Sequence, residues 1–348
     1  MKISEIIKSK KTFKIGYFGG SITAGSGASV EGNCWRCKFT KYLKEKYPET
    51  EIVEINASIG GTGSDLGLFR MKKDLLSKNP DIVFVEFAVN DYQKDNCHIY
   101  MENIVRNILL YNKNTIIVFV YTSTLTMFND CYSKGILPHS VIAHDKVAEF
   151  YNIPALNMGK VLMDMLEKGE VTKEDIWTDG VHPNDYGYSL YEDFLERNVE
   201  NLEISINNRK ESLTDRLYPD ADLHLTSDMA NDHWTLSDSN LFNRLPNYIY
   251  SSNPGDKIEF EFEGSVIGIY TTTEKTSGDF LYSIDDGEEN ICSTWDIYAL
   301  QFARAHYYML ANDLEYGKHK LKITISEEKN EKSEGRYIRL GAWQAFRI

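Results

Sequence analysis

Three side chains in this sequence have the types and spacing for acyl-transfer chemistry. Residues 17–29 read YFGGSITAGSGAS, where an alternating apolar run breaks into two glycines and then Ser21. A serine on a sharp bend at the end of a buried strand can present its hydroxyl as a nucleophile. Read alone, the stretch fits a helix N-cap equally well, because serine is a favoured capping residue. Further on, residues 178–183 read TDGVHP, with Asp179 three positions before His182. A serine hydroxyl needs a base to take its proton as it attacks. Imidazole exchanges protons near neutral pH, and a carboxylate one short turn away can orient the ring and stabilise the imidazolium. Each residue also has a plain structural use: His182 as a packed surface histidine before Pro183, and Asp179 as a turn residue.

The elements that must position these groups alternate up to about residue 203. Strands are predicted at Lys14–Phe18, Glu51–Ala57, Ile82–Ala88, Thr115–Tyr121 and around Ile153–Leu156. Helices are predicted near Gly32–Tyr47, Leu66–Ser77, Tyr100–Tyr111, His139–Tyr151 and Tyr186–Val199. Strand and helix in alternation imply a parallel sheet covered on both faces. Ligands of such sheets bind beyond the carboxyl ends of the strands. Ser21 follows the first strand and Asn90 follows the third, so both fall on that edge.

After about Ile204 the helical periodicity disappears. Strands at Lys257–Phe262, Val266–Thr271, Phe280–Ile284 and His319–Ile325 alternate with turn signals such as Pro254-Gly255-Asp256 and Asp285-Asp286-Gly287. Many short strands with regular turns suggest a β-sandwich. The expected domains are 1–203 and 217–348, with the polar stretch Asn207–Arg216 as the linker region.

Four segments line up in order: Gly19-Gly20-Ser21-Ile22-Thr23, Asn56-Ala57-Ser58-Ile59-Gly60-Gly61, Phe87-Ala88-Val89-Asn90-Asp91 and Thr178-Asp179-Gly180-Val181-His182-Pro183. Over residues 13 to 200 the chain resembles the SGNH (GDSL-type) hydrolase family, whose four blocks carry serine, glycine, asparagine and histidine in these places. The resemblance implies a flavodoxin-like α/β three-layer sandwich with a parallel sheet, followed here by the all-β domain. It also implies Ser21 as nucleophile, His182 as base and Asp179 as its orienting partner. The family's oxyanion donors carry over to the backbone N–H of Ser21, the backbone N–H of Gly61 and the side chain of Asn90. Gly61 matches rather than Gly60, because the family block runs Asn-x-x-x-x-Gly. Two positions depart from the pattern: Gly20 stands where the GDSL motif has aspartate, and Ala88 where a glycine is usual. Neither removes a catalytic group.

Composition narrows the substrate. With a net charge of −14 over 348 residues and a pI near 5.1, the chain is ill suited to nucleic acid or anionic membrane surfaces. A neutral ligand is easier to reconcile with that charge. The N-terminus lacks a signal-peptide pattern, and five cysteines form no even framework, so a cytoplasmic location is expected. Cys34 and Cys37 make a lone C-x-x-C without a second pair, too little for zinc. No cofactor and no metal are expected, and the oligomeric state is not legible.

In the second domain, Asp279–Gly287, Trp295–Tyr298 and Tyr316–Lys322 look like the appended module of certain sugar esterases. The combined layout is similar to carbohydrate esterase family 17, an SGNH domain followed by a family-35-like carbohydrate-binding module. That resemblance implies removal of acetyl groups from acetylated mannan oligosaccharides. Trp295, Tyr298, Arg304 and His306 are candidate sugar contacts, although aromatic residues in a sandwich usually form its core. Two other functions compete: a lipase or thioesterase on the same fold, and a non-catalytic carbohydrate-binding protein.

Overall fold

Ile82–Val85 and Ile116–Val120 contain no polar residue, as expected of strands covered on both faces. In the computed structural model of the chain they are buried throughout. The structure describes residues 2–204, 211–219, 223–237, 239 and 247–346. It divides into two units, Met1–Asp215 and Arg216–Ile348.

In chain order the first unit contains α1 (Ile3–Lys8), β1 (Thr12–Gly19), α2 (Ser21–Ala24), α3 (Trp35–Lys46), β2 (Glu51–Asn56), α4 (Ser64–Asp74), β3 (Ile82–Glu86) and α5 (Cys97–Tyr111). It continues with β4 (Ile116–Tyr121), α6 (Leu125–Asp130), α7 (His139–Tyr151), β5 (Ala155–Asn157), α8 (Met158–Glu167), α9 (Lys173–Ile176) and α10 (Asp185–Asn198). The strands form one parallel sheet in the order β2-β1-β3-β4-β5. This is the flavodoxin-like order, whose switch point lies between β1 and β3. Helices α3 and α8 pack against α10, while α4 and α7 pack against α5. Tyr17 on β1 stacks on Phe84 of β3 at 5.6 Å and meets Trp35 of α3 edge-on at 5.3 Å. Such close aromatic contacts add to the burial energy of the layer beneath α3.

Several elements differ from the pattern read off the sequence. Helix α8 was not expected; it begins directly after β5, where the Asn157 side chain accepts the Lys160 N–H at 2.9 Å as an N-cap. The helix expected from Gly32 starts at Trp35, after a 3₁₀ turn over Glu31–Asn33. Of the expected linker, residues 207–210 lie outside the described residues. Leu213 and Thr214, by contrast, donate their N–H groups to the buried Glu102 carboxylate at 2.6 and 2.7 Å. The first unit therefore runs past residue 203, to Asp215.

The second unit is built from β6 (His224–Leu225), β7 (Thr235–Ser237), β8 (Tyr248–Ser251), β9 (Lys257–Gly264), β10 (Val266–Thr273), β11 (Asp279–Ile284), β12 (Asn290–Ser293), β13 (Arg304–Ala311), β14 (Gly317–Ile325) and β15 (Ile338–Phe346). Two antiparallel sheets result, β13-β10-β15-β8-β7 with β6 paired to β15, and β12-β11-β14-β9. Alternation along β9 and β14 sends Ile258, Phe262, Leu321 and Ile323 inward to meet Trp234, Ile269 and Leu340. After β11, Asp285 and Asp286 adopt φ of 54° and 57°, and the Gly287 N–H closes on the Ile284 carbonyl at 2.9 Å. Positive φ at both central residues is the hairpin geometry that matches strand twist. The Asp285 carboxylate is already engaged by His319 at 2.6 Å and by the Lys320 N–H at 2.8 Å. Among the described residues, no helix is long and apolar enough to cross a membrane.

Candidate active site

Ser21 is the first residue of α2, and the capping position before it belongs to Gly20. The serine side chain is therefore not used as a cap. Its Oγ lies 2.9 Å from His182 Nε2, and His182 Nδ1 lies 2.7 Å from Asp179 Oδ2. A carboxylate can only accept, so Nδ1 carries the proton and Nε2 is left to receive one from Ser21.

The loop between α9 and α10 that bears Asp179 and His182 is held largely by its own backbone. Asp179 Oδ1 accepts the N–H groups of Val181 and His182 at 2.8 and 2.7 Å, and the Thr178 N–H closes on the His182 carbonyl at 3.1 Å. Burial pushes the Asp179 carboxyl up, but the N–H and imidazole of His182 outweigh it and hold the group below the usual carboxylate range. A Cβ at Gly27, whose φ is 92°, would come within 2.5 Å of the Pro183 carbonyl and 2.8 Å of His182 Cβ. Glycine there lets the nucleophile segment pass beside the histidine.

The other blocks converge on the same edge. A Cβ at Gly20 would stand 1.8 Å from Asn90 Oδ1, so the Asn90 side chain lies directly against the turn that carries Ser21. A Cβ at Gly60 would stand 3.5 Å from Ser21 Cβ, which brings the loop after β2 alongside as well. Gly61 follows with φ of 74°. The turns after β1, β2 and β3 thus meet at the switch point of the sheet, where open α/β sheets bind ligands. A serine oxygen paired with imidazole, beside an amide and a glycine turn, can form and release an acyl ester.

Buried polar groups that the sequence reading did not single out lie behind these turns. The Arg70 guanidinium on α4 donates to the carbonyls of Gly19 (3.1 Å) and Ala57 and to Thr62 Oγ1 (3.3 Å), while it covers the Phe18 ring at 4.7 Å. It joins the ends of β1 and β2. The signal for it is a pair of opposite charges one turn apart, Arg70 and Asp74, in a helix that also buries Leu66, Leu68, Phe69 and Met71. Asp91 accepts the Ser64 N–H at 3.0 Å and pairs with His144 Nε2 at 3.1 Å, which fixes the turn carrying Asn90 to α4 and α7. Asp91, Cys97 and His144 bring ligand-type atoms within 4.8 Å of one another. Asp91 and His144 are spent on each other, and Lys94 Nζ faces Asp91 at 3.9 Å, so the positive charge a metal would supply is already present. Cys34 caps α3 beside Cys37, and all five cysteines are free thiols.

The candidate sugar contacts of the second unit separate into two kinds. Trp295 is only 8% exposed, and Arg304 is buried, ion-paired with Asp296 and packed against the Phe302 ring. Both serve packing, as the usual fate of aromatic and arginine side chains in a sandwich would have it. Tyr298 is 58% exposed, and His306 is half-buried with its ring 4.4 Å from that of Tyr308.

Known proteins add to this geometry. The chain is similar over 99% of its length to a crystallised two-domain esterase described as active on acetylated mannans, at 23% identity, 93% coverage of that chain and a TM-score of 0.86. A second structure of a two-domain esterase so described, co-crystallised with mannopentaose, matches at 23% identity, with 99% and 94% of the two chains covered and a TM-score of 0.85. At this identity the likeness establishes the two-domain fold. No curated protein sequence matches the chain. The pattern of the GDSL-like Lipase/Acylhydrolase family matches residues 17–190, half of the chain and all four blocks. On that match, the chain belongs to the GDSL-like lipase and acylhydrolase family and is a carboxylic ester hydrolase.

Proposed function

We propose that the protein is a serine esterase that removes O-acetyl groups from acetylated oligosaccharides, of mannan type. The observation that carries this reading is the hydrogen-bonded series Ser21 Oγ, His182 Nε2, His182 Nδ1 and Asp179 Oδ2. Ser21 Oγ bonds to the acetyl carbonyl carbon as its proton passes to His182 Nε2. The tetrahedral oxyanion is met by the N–H groups of Ser21 and Gly61 and by the Asn90 amide. Collapse breaks the bond to the sugar oxygen, which takes the proton from His182 and departs as the free hydroxyl. Water then gives a proton to His182 and attacks the acetyl-serine. Acetate leaves, and the proton returns to Ser21. Asp179 holds the ring in the tautomer that both halves require and stabilises the imidazolium between them.

The substrate class rests on the two-domain likeness to an esterase described as active on acetylated mannans, in one structure co-crystallised with mannopentaose. The second unit is read accordingly as a carbohydrate-binding module, with Tyr298 and His306 as its remaining candidate contacts. A neutral sugar also suits the chain's strong negative charge. The test is a panel of acetylated manno- and xylo-oligosaccharides and fatty-acyl esters, with the released acid quantified for each. Preference for acetylated manno-oligosaccharides supports the reading. Preference for long acyl chains would replace it with a lipase or thioesterase.

A further inference from the structure

Glu86 is the last residue of β3, 1% exposed, in a strand that is otherwise Ile, Val and Phe. A buried carboxyl without partners is costly, and this one is well supplied. Glu86 Oε2 accepts from Thr23 Oγ1 and Oε1 from Thr122 Oγ1, each at 2.9 Å. One of these two donors, Thr23, lies two residues after Ser21 in α2; the other stands on the segment after β4. Register strengthens the link, because Gly19 at the end of β1 lies opposite Glu86 across the sheet.

We propose that Glu86 is a positioning residue for the nucleophile: its ionised carboxyl grips the nucleophile turn through Thr23, braced by Thr122, and protonation loosens that grip. Hydrogen bonds to an ionised acceptor are roughly twice as strong as neutral ones. A protonated carboxyl must also donate once. A threonine hydroxyl that reverses to accept that proton no longer donates to the carboxyl. Burial pushes the Glu86 carboxyl up to about 7, against the pull of the Thr122 and Thr23 hydroxyls and with the Asp91 charge adding to the rise. From α10, Tyr188 and Tyr191 also face the group, and burial pushes both phenols further up, so they stay neutral. Asp91 is itself paired with His144 and faced by Lys94. The exchange of the Glu86 proton therefore falls in the range where a serine esterase works.

Stability and activity then respond to pH in opposite directions. The folded chain holds the Glu86 proton more tightly than the unfolded chain does. Its contribution to stability is full below the ordinary glutamate range and is lost as pH rises toward about 7. Activity gains over the same interval, because the ionised carboxyl is the one that holds the turn.

The inference rests on Ser21 as nucleophile. The experiment compares the pH dependence of kcat/KM on 4-nitrophenyl acetate, and of Tm, in wild type and Glu86→Gln. Expected is an acid limb steepened by a second ionisation in wild type and a single ionisation in Glu86→Gln. The variant should also show kcat about tenfold lower with KM little changed, and no fall in Tm between about pH 5 and 7 from this group. A Glu86→Gln profile with the wild-type shape overturns the proposal, whatever happens to Tm. Should Glu86→Gln not fold, Thr122→Val removes one lowering partner without touching the turn. The second ionisation should then move to higher pH, and an unmoved profile overturns the proposal equally. Ser21→Ala separates the two readings: if it stays active, the nucleophile assignment fails. If it is inactive while Glu86→Gln keeps the wild-type profile, only the role of Glu86 fails.

Discussion

The two sides of the candidate site are built by different means. The side that handles protons is a short loop near the surface, where the Asp179 side chain is 51% exposed and its partners lie within three residues in the chain. The side that carries the nucleophile and the Asn90 amide rests on buried polar groups from distant segments. Arg70 joins the ends of β1 and β2, Glu86 joins the nucleophile turn to the segment after β4, and Asp91 joins three segments through Ser64 and His144. A histidine that takes and returns a proton needs only one correct tautomer, which local bonds can set. Donors aimed at a developing charge must be held rigidly, because they are effective only when no reorganisation is needed. Burial supplies that rigidity, and each interior group must be paired to make it stable.

Substitutions can break this contrast, and the largest effect on turnover should come from the nucleophile. Ser21→Ala should unfold at the wild-type temperature and lose activity by roughly a hundred-thousandfold to a millionfold, since the acyl-enzyme has no other oxygen to form on. Detectable labelling of Ser21→Ala by a serine-directed phosphonate would place the nucleophile elsewhere. Asp179→Asn should come next, with kcat down by roughly a thousandfold to ten-thousandfold as the histidine tautomer is disturbed. Its Tm should barely move, because the loop is exposed. A large loss of Tm would mean that this loop is not the local unit described above.

Asn90→Ala should lower kcat by roughly a hundredfold to a thousandfold, with a smaller change in KM, as for one lost oxyanion donor. A change confined to KM would make Asn90 a ground-state binding residue. The sharpest test of the contrast is Arg70→Met. Its direct effect on chemistry should be the smallest of the four, about tenfold through displaced turns, yet its cost in stability should be the greatest. Arg70→Met leaves the buried Asp74 carboxylate, which the guanidinium meets at 3.2 Å, without its charge partner, and breaking a buried pair in this way costs about 3–5 kcal/mol, readable in urea unfolding. Equal unfolding midpoints for Arg70→Met and Asp179→Asn would erase the difference between the two sides.

The proton-handling loop is also the more legible side in sequence. Asp179 and His182 are three residues apart, and a short spacing constrains geometry without knowledge of the fold. The strands were recognisable because β3 and β4 are covered on both faces and can hold almost nothing but apolar residues. Glu86 is the one charged residue in that run, and its role is not legible there because it depends on Thr23 and Thr122, which lie 63 and 36 residues away. Helix α8 escaped notice because its short amphipathic pattern follows β5 with no intervening turn signal. In the second unit, composition marked Trp295 and Tyr298 alike as aromatic, whereas packing buried the first and exposed the second.

By itself, the sequence determined the five strands of the first unit and their alternation with helices, the change to an all-β second unit, and the four short blocks that place this chain in its family. Those properties follow from residue periodicity and near-neighbour spacing, which act over one or two turns of chain. The tertiary structure alone decided that Gly20, and not Ser21, caps α2, that Gly20 makes room for the Asn90 amide, and that Arg70 and Glu86 stand behind the nucleophile turn. These outcomes depend on which segments the parallel sheet brings side by side. A crossover sheet pairs strands far apart in the chain, so the partners of a buried charge are chosen by topology and not by sequence distance.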